Sequence, residues 1–136
     1  MNVDEVRAFL RDNHRGVLGT LRRDGMPQLS PVSVGLDGDG HAIISTREPA
    51  YKVRNLRRDP RASLCVFNDR FYGAWIQAEG EASILSLPDA MEPLVDYYRS
   101  VSGEHPDWDD YRAAMEREKR CLIRIRIERA GPTVSG

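Results

Sequence analysis

Val3, Val6, Phe9 and Leu10 recur at helical spacing, with Asp4, Glu5, Arg7, Arg11 and Asp12 between them. That rhythm gathers the apolar side chains on one stripe and predicts a short amphipathic helix. From Gly16 the period changes, and Val17 to Arg22 predicts a strand. Asp24-Gly25 then signals a tight hairpin, since both residue types tolerate the positive φ such turns need. Gln28 to Leu36 predicts the return strand, with Leu29, Val32 and Val34 apolar. Pro31 inside it lacks an N–H, which restricts this strand to an edge or an irregular pairing. After the Asp37-Gly38-Asp39-Gly40 turn, His41 to Thr46 reads as a strand that buries Ala42, Ile43 and Ile44. Pro49 suits the first turn of a helix that must stop before Pro60.

Ala62 to Phe67 predicts an apolar strand, and Asn68-Asp69-Arg70 turns the chain into a long strand, Tyr72 to Leu85, with a bulge expected at Gly80. Ser86 to Asp89 opens a helix through Ser100, and a second helix runs from Asp107 to Arg117. Cys121 to Ile127 alternates: Cys121, Ile123, Ile125 and Ile127 point one way, and Leu122, Arg124, Arg126 and Glu128 the other, as in a half-buried strand. The small, polar stretch from Ala130 to Gly136 reads as a flexible tail. The elements sum to about six strands joined as hairpins, with three or four helices. The expected fold is α+β, mainly β: one domain over residues 1–136, an antiparallel barrel with peripheral helices. The absence of βαβ units and of a Gly-rich phosphate loop argues against a Rossmann fold.

Composition narrows the function classes. The formal net charge is −1, which argues against a general polyanion binder and hence against a nucleic-acid protein. No apolar run is long enough to span a membrane. The start of the chain, Met1-Asn2-Val3-Asp4-Glu5, lacks the basic and apolar regions of a signal peptide, so the cytoplasm is expected. Cys65 and Cys121 sit in apolar strands and read as two buried thiols. His14, His41 and His105 show no metal-site spacing, so no metal is expected.

The chemistry concentrates in Ser45-Thr46-Arg47-Glu48-Pro49-Ala50-Tyr51-Lys52-Val53-Arg54-Asn55-Leu56-Arg57-Arg58-Asp59-Pro60-Arg61, where a strand runs directly into a helix. A helix start offers free N–H groups and a partial positive charge, and Lys52 adds a full one. Lys52, Asn55 and Arg58 share one helical face, and the Ser45 and Thr46 hydroxyls lie at the strand end. Two readings compete here: an anion site, or a solvated face whose arginines pair with carboxylates. Gln28 and Ser30 point to the same side of their strand and suit hydrogen bonds to a flat heteroaromatic ring, or simply to solvent. Phe71, Tyr72 and Trp75 suit a stacking wall, a dimer contact or the core. Asp107 to Tyr111 reads as a helix cap and surface lid. No nucleophile–base pair stands out and no catalytic residue is assigned, so a cofactor must supply any redox chemistry.

Taken together, Gly16 to Leu21, Asp24 to Val32, Lys52 to Ser63 and Tyr97 to Arg112 resemble the pyridoxamine 5′-phosphate oxidase-like split-barrel superfamily, in particular its F420-dependent flavin/deazaflavin oxidoreductase branch. The run Lys52-Val53-Arg54-Asn55-Leu56-Arg57-Arg58-Asp59-Pro60-Arg61 is the specific part. The resemblance implies a six-stranded FMN-binding-type split barrel and a homodimer with two cofactor sites at its interface. It implies that Lys52 and Asn55 hold the cofactor phosphate, with Ser45 and Thr46 beside them. Thr20, Gln28, Ser30, Pro31 and Val32 would line the ring, and Trp75 would close the site from the other subunit. Where some relatives carry a basic residue two positions before the lysine, this chain has Ala50. The expected cofactor is coenzyme F420, with FMN as the alternative, and the expected activity is hydride transfer between reduced deazaflavin and a conjugated small molecule. An FMN-dependent oxidase or reductase and a non-catalytic F420 carrier are the competing functions.

Overall fold

The structure is a computed structural model and describes residues 1–131. Helix α1 (Val3–Asp12) is capped by Asn2, whose side chain accepts a hydrogen bond from Glu5 N at 2.9 Å, and it buries Val6 and Leu10. Strand β1 (Arg15–Leu21) turns at Gly25, in the left-handed region at φ 84°, into β2 (Pro27–Ser33). The remaining strands are β3 (Gly35–Leu36), β4 (Ala42–Arg47), β5 (Arg61–Phe67), β6 (Trp75–Leu85) and β7 (Arg120–Ala130). Helix α2 (Tyr51–Arg58) links β4 to β5, while α3 (Met91–Ser102) and α4 (Trp108–Arg117) lie between β6 and β7.

All seven strands form one antiparallel sheet in the order β2-β1-β5-β6-β7-β4-β3. Leu18, Ile44, Leu64, Ile76 and Ile125, drawn from strands across that whole order, meet in a single core cluster with Val6, Leu10 and Leu56. A sheet whose distant strands share one core must curl around it, which makes a barrel. The expected Gln28–Leu36 strand is in fact two, and seven strands replace six. The break falls at Val34, which is fully buried and donates its N–H to His14 O at 2.7 Å. Before the break the chain pairs with β1, and after it Gly35 pairs with Ile43 of β4. Pro31 lies on β2, an edge of the sheet, as its missing N–H requires. The bulge at Gly80 is present, and a Cβ there would sit 1.8 Å from Arg126 O.

Several expected boundaries move. Pro49 sits in the turn before α2, not in its first turn, and Ala50 takes the capping position without a side-chain bond. Tyr72 lies in the β5–β6 loop, closed by Asn68 N to Ala74 O at 3.0 Å, so β6 starts at Trp75. Helix α3 starts at Met91, after a turn. Leu122 does not face solvent: it is fully buried with Ile43, Leu94, Val95 and Tyr111 in a second cluster, because α3 and α4 cover that face of β7. Ala130 pairs with Ala78, and Gly131 N donates to Gln77 O at 2.8 Å, so the expected tail begins as ladder; residues 132–136 lie outside the described residues. Cys121 is buried, but Cys65 points to the outer face and is only half-buried, with both thiols free.

Candidate cofactor site

Two polar clusters mark the two ends of α2. The first lies under its C-terminal half. Asn55 is 6% exposed and Thr20 1% exposed, so their polar atoms need partners inside the protein. Asn55 Nδ2 donates to Thr20 Oγ1 at 3.1 Å, and Thr20 Oγ1 donates to Gln28 Oε1 at 3.3 Å. Arg58 donates to Asn55 Oδ1 at 3.2 Å and, through the same nitrogen, to Leu21 O. Both ends of the Asn55 amide are therefore engaged. The residue straps α2 to the end of the β1–β2 hairpin.

The second cluster lies at the helix start. Lys52 is half-buried, and its Nζ donates to Ser30 Oγ at 3.3 Å. Among the described residues no carboxylate lies within 4 Å of it. The acidic residues that flank the helix are engaged elsewhere: Glu48 is held by Arg57 at 2.7 Å, and Asp59 by Arg61 at 2.8 Å. Burial, and then the nearby Arg120 guanidinium, push the Lys52 ammonium below its ordinary pKa. A desolvated cation without a counter-charge is what a phosphate or carboxylate of a ligand would relieve.

Strand alternation sorts the other residues singled out in the sequence. Gln28, Ser30 and Val32 share the inner face of β2, with Val32 packed against the core, whereas Pro31 points to the outer face. Thr46 is buried at 6% exposure and faces the barrel, while Ser45, its neighbour, faces the α3 side. Ser45 thus joins a group the sequence did not single out. Its backbone lies against the Tyr97 hydroxyl, which donates to Ser33 O at 3.0 Å and whose pKa burial pushes up. Arg120 is on the same side, since it shares its parity with Leu122, the partner of Ser45. Trp75 is half-buried on the outer face beside Phe67, so within one chain it cannot meet Lys52. Phe71 and Tyr72 are 80% and 95% exposed and stack edge to face at 4.9 Å. Asp107 caps α4 by accepting from Asp110 N at 3.1 Å.

A recess of about 590 Å³ lies away from Lys52. It lies on the outer sheet face, over Gly19, Leu21, Leu29, Ser63 and Glu79. Its lining mixes apolar Leu21, Pro27 and Leu29 with charged Arg61, Glu81, Glu128 and Arg129, and Leu29 is 64% exposed. Lys52, a half-buried ammonium with one hydroxyl partner and no carboxylate within 4 Å among the described residues, is the candidate anion site. Asp37, Asp39 and His41 bring ligand-type atoms within 4.8 Å of one another. Asp37 Oδ1 already accepts from the N–H groups of Asp39 and His41, both at 2.9 Å, and Arg124 lies 3.4 Å from its Oδ2, so the group closes a turn.

A sheet curled into a half-barrel, with helices packed outside it, defines a split β-barrel. The profile of the pyridoxamine 5′-phosphate oxidase family matches residues 3–133, and the chain belongs to that family. It is 28% identical over 127 residues to an F420H(2)-dependent biliverdin reductase of Mycobacterium tuberculosis, covering 93% of this chain and 84% of the relative. Among solved structures, the conserved hypothetical protein Rv2991 of Mycobacterium tuberculosis superposes with a TM-score of 0.77 at 26% identity, over 100% of this chain and 93% of that one. A structure described as an F420 reductase superposes at 0.69 with 21% identity, over 92% and 94%, and supports the fold alone. No helix among the described residues is long and apolar enough to cross a membrane.

Proposed function

We propose that this chain is an F420-dependent oxidoreductase that reduces a conjugated small molecule. The observation that carries the reading is Lys52: a half-buried cation beside Ser30, with no carboxylate partner among the described residues, in a chain related to an F420-dependent reductase. F420, when bound, would supply the hydride equivalent, and water would supply the proton that completes reduction of the acceptor. The cofactor carries the redox chemistry, so the protein's part is binding and orientation. Its residues bind and orient: Lys52 and Ser30 hold the phosphate, Gln28 borders the ring at the edge of the hairpin, and the Asn55–Thr20–Arg58 network fixes α2 against the β1–β2 hairpin.

The same reading includes a homodimer. Val17, Leu29, Pro31, Cys65, Phe67 and Trp75 form an apolar strip on the outer face of β2, β1, β5 and β6. A second copy laid on that strip would bury it and bring its own Trp75 towards the site.

Titration of the purified protein with F420 and with FMN, followed by fluorescence, tests the reading. F420 is expected to bind at least tenfold more tightly than FMN, and biliverdin is the first acceptor to try with reduced F420. Tight FMN binding with no F420 affinity would overturn the cofactor assignment. Tight F420 binding without turnover on any conjugated acceptor would leave a carrier.

A further inference from the structure

Four polar side chains, Arg58, Asn55, Thr20 and Gln28, join end to end from α2 across the β1–β2 hairpin. The direction of their hydrogen bonds is fixed from one end. A guanidinium carries donors only. Arg58 Nη2 donates to Asn55 Oδ1 at 3.2 Å and to Leu21 O. The Asn55 oxygen must therefore face Arg58, because the reversed amide would set N–H against N–H. Its Nδ2 points the other way and donates to Thr20 Oγ1 at 3.1 Å.

Thr20 passes the direction on. It is 1% exposed, so its hydroxyl proton needs an acceptor inside the protein. Gln28, directly opposite on β2, supplies one: Thr20 Oγ1 donates to Gln28 Oε1 at 3.3 Å. A reversed Gln28 amide would bring a second donor to Thr20 and strand that proton. The Gln28 oxygen thus faces Thr20, and its Nε2 faces away. One hydrogen of this nitrogen goes to Leu29 O at 3.2 Å. The other has no partner among the described residues, so a chain that starts on a cation ends on a free N–H. Bonds aligned in one direction polarise one another, which strengthens the donor at the end. Ser30, the residue that meets Lys52, lies two positions along the same face of β2, roughly 7 Å away at the rise of a strand.

We propose that Arg58, Asn55 and Thr20 are positioning residues that hold Gln28 as a hydrogen-bond donor, and that the ligand meets it with a carbonyl oxygen on the edge of a flat heteroaromatic ring. The site then selects a ring that offers an acceptor at Gln28 and rejects one that offers an N–H there, since two donors would face each other. This rests on the proposed function for the identity of the ring but not for the polarity of the chain. Arg58, on this reading, acts through Asn55 and does not itself touch the ligand.

The first measurement needs no ligand. In isotope-labelled protein the side-chain NH2 resonances of Gln28 and Asn55 are followed by NMR. The wild-type Gln28 amide is expected to be displaced from the shifts of free glutamine. Thr20→Val, which keeps the shape and removes the hydroxyl, should return it to them, and Thr20→Ser should restore the displacement. A Gln28 amide with free-glutamine shifts in the wild type, or one unmoved in Thr20→Val, overturns the chain. The second measurement titrates F420 and FMN, whose rings both carry carbonyls on one edge, and records infrared difference spectra of the complexes. Binding should weaken about three- to tenfold in Thr20→Val and in Gln28→Met, the worth of one hydrogen bond. The ring-carbonyl band should move to higher frequency in both, and Thr20→Ser should recover affinity and band together. Weaker binding with an unmoved band assigns the chain to structure alone and overturns the proposal, as do unchanged affinity and band in Gln28→Met. That variant lies on a half-buried edge position and carries the ligand test if Thr20→Val does not fold. Should the wild type bind neither cofactor, the cofactor reading fails and the NMR measurement still judges the chain.

Discussion

The two ends of α2 carry similar residue types and resolve them in opposite ways. At the C-terminal end, Asn55, Thr20, Gln28 and Arg58 bond to one another and to Leu21 O, so every polar group has a partner inside the chain. At the N-terminal end, Lys52 rests on one hydroxyl while Arg120 and Arg47 crowd a single carboxylate. A closed network stabilises the fold and offers a ligand little. An under-neutralised one is what the proposed anion would complete. Polar burial alone therefore does not mark a binding site; what marks it is burial that the chain leaves uncompensated.

The largest effect that sharpens this contrast comes from the residue between the two clusters. Val53 is 0% exposed, so Val53→Asp puts an unpaired carboxylate in the core and is expected to cost at least about 4 kcal/mol. Circular dichroism should then show no cooperative melting near that of the wild type. Asn55→Ala comes next. It leaves Thr20 and Arg58 short of a partner in a dry environment and is expected to cost about 2–3 kcal/mol, lowering Tm by roughly 5–12 °C. Lys52→Ala should stay within about 0.5 kcal/mol of the wild type in stability while F420 binding falls at least tenfold. An Asn55→Ala protein that melts like the wild type but no longer binds F420 would reverse the roles assigned to the two ends.

The corner next to Arg120 also sets how the fold meets alkali. Burial pushes the Cys121 thiol up to about 11 from an ordinary 9.0, with a smaller push from Glu48. Burial likewise takes the Tyr111 phenol, which donates to Leu94 O at 2.7 Å, up to about 12 from 10.0. Both groups stay neutral in the folded protein after the unfolded chain has ionised. The stability they contribute is complete below pH 9 and drains away as the pH climbs from 9 towards 12. Urea midpoints measured from pH 8 to 11 should fall, and Cys121→Ala should fall less steeply between pH 9 and 11 even though it starts lower.

The closed end of α2 and most of the barrel were legible in the sequence because local patterns decide them. Asp24-Gly25, the alternation of β7 and the Gly80 bulge each depend on residues near in sequence or on a single steric rule. The break at Val34 was not legible, since it follows from which strand each half pairs with, a fact of how the whole sheet curls. Leu122 was misplaced for a related reason: a period-2 pattern shows which residues share a face, but not that α3 and α4 cover the second face too. In the site, Lys52 meets Ser30, whereas Asn55, expected beside Lys52 on a phosphate, is taken up by Thr20 and Arg58, and Arg120, whose charge weakens the Lys52 ammonium, comes from a distant part of the chain. Arg47-Arg120 pairing could have been found only from the β4–β7 register.

The smallest effect bears most directly on the open end. Because burial and Arg120 weaken the Lys52 ammonium, the unfolded chain binds that proton more tightly than the folded one between the depressed pKa and 10.5. Stability from this group therefore rises with pH across that window, and below it the charge is a constant penalty on folding. Lys52→Met keeps the apolar stem and removes the charge. It should melt slightly above the wild type at pH 7, and the gap should close as the pH approaches 10.5. Arg120→Gln should narrow the same gap at pH 7, since it removes one of the two causes. Bound phosphate should reverse its sign, because the anion stabilises the protein that keeps Lys52. A Lys52→Met protein less stable than the wild type at pH 7 would mean that the bond to Ser30 outweighs the burial of the charge. The two ends of α2 would then be struts of the same kind, and the uncompensated charge would no longer point to a ligand.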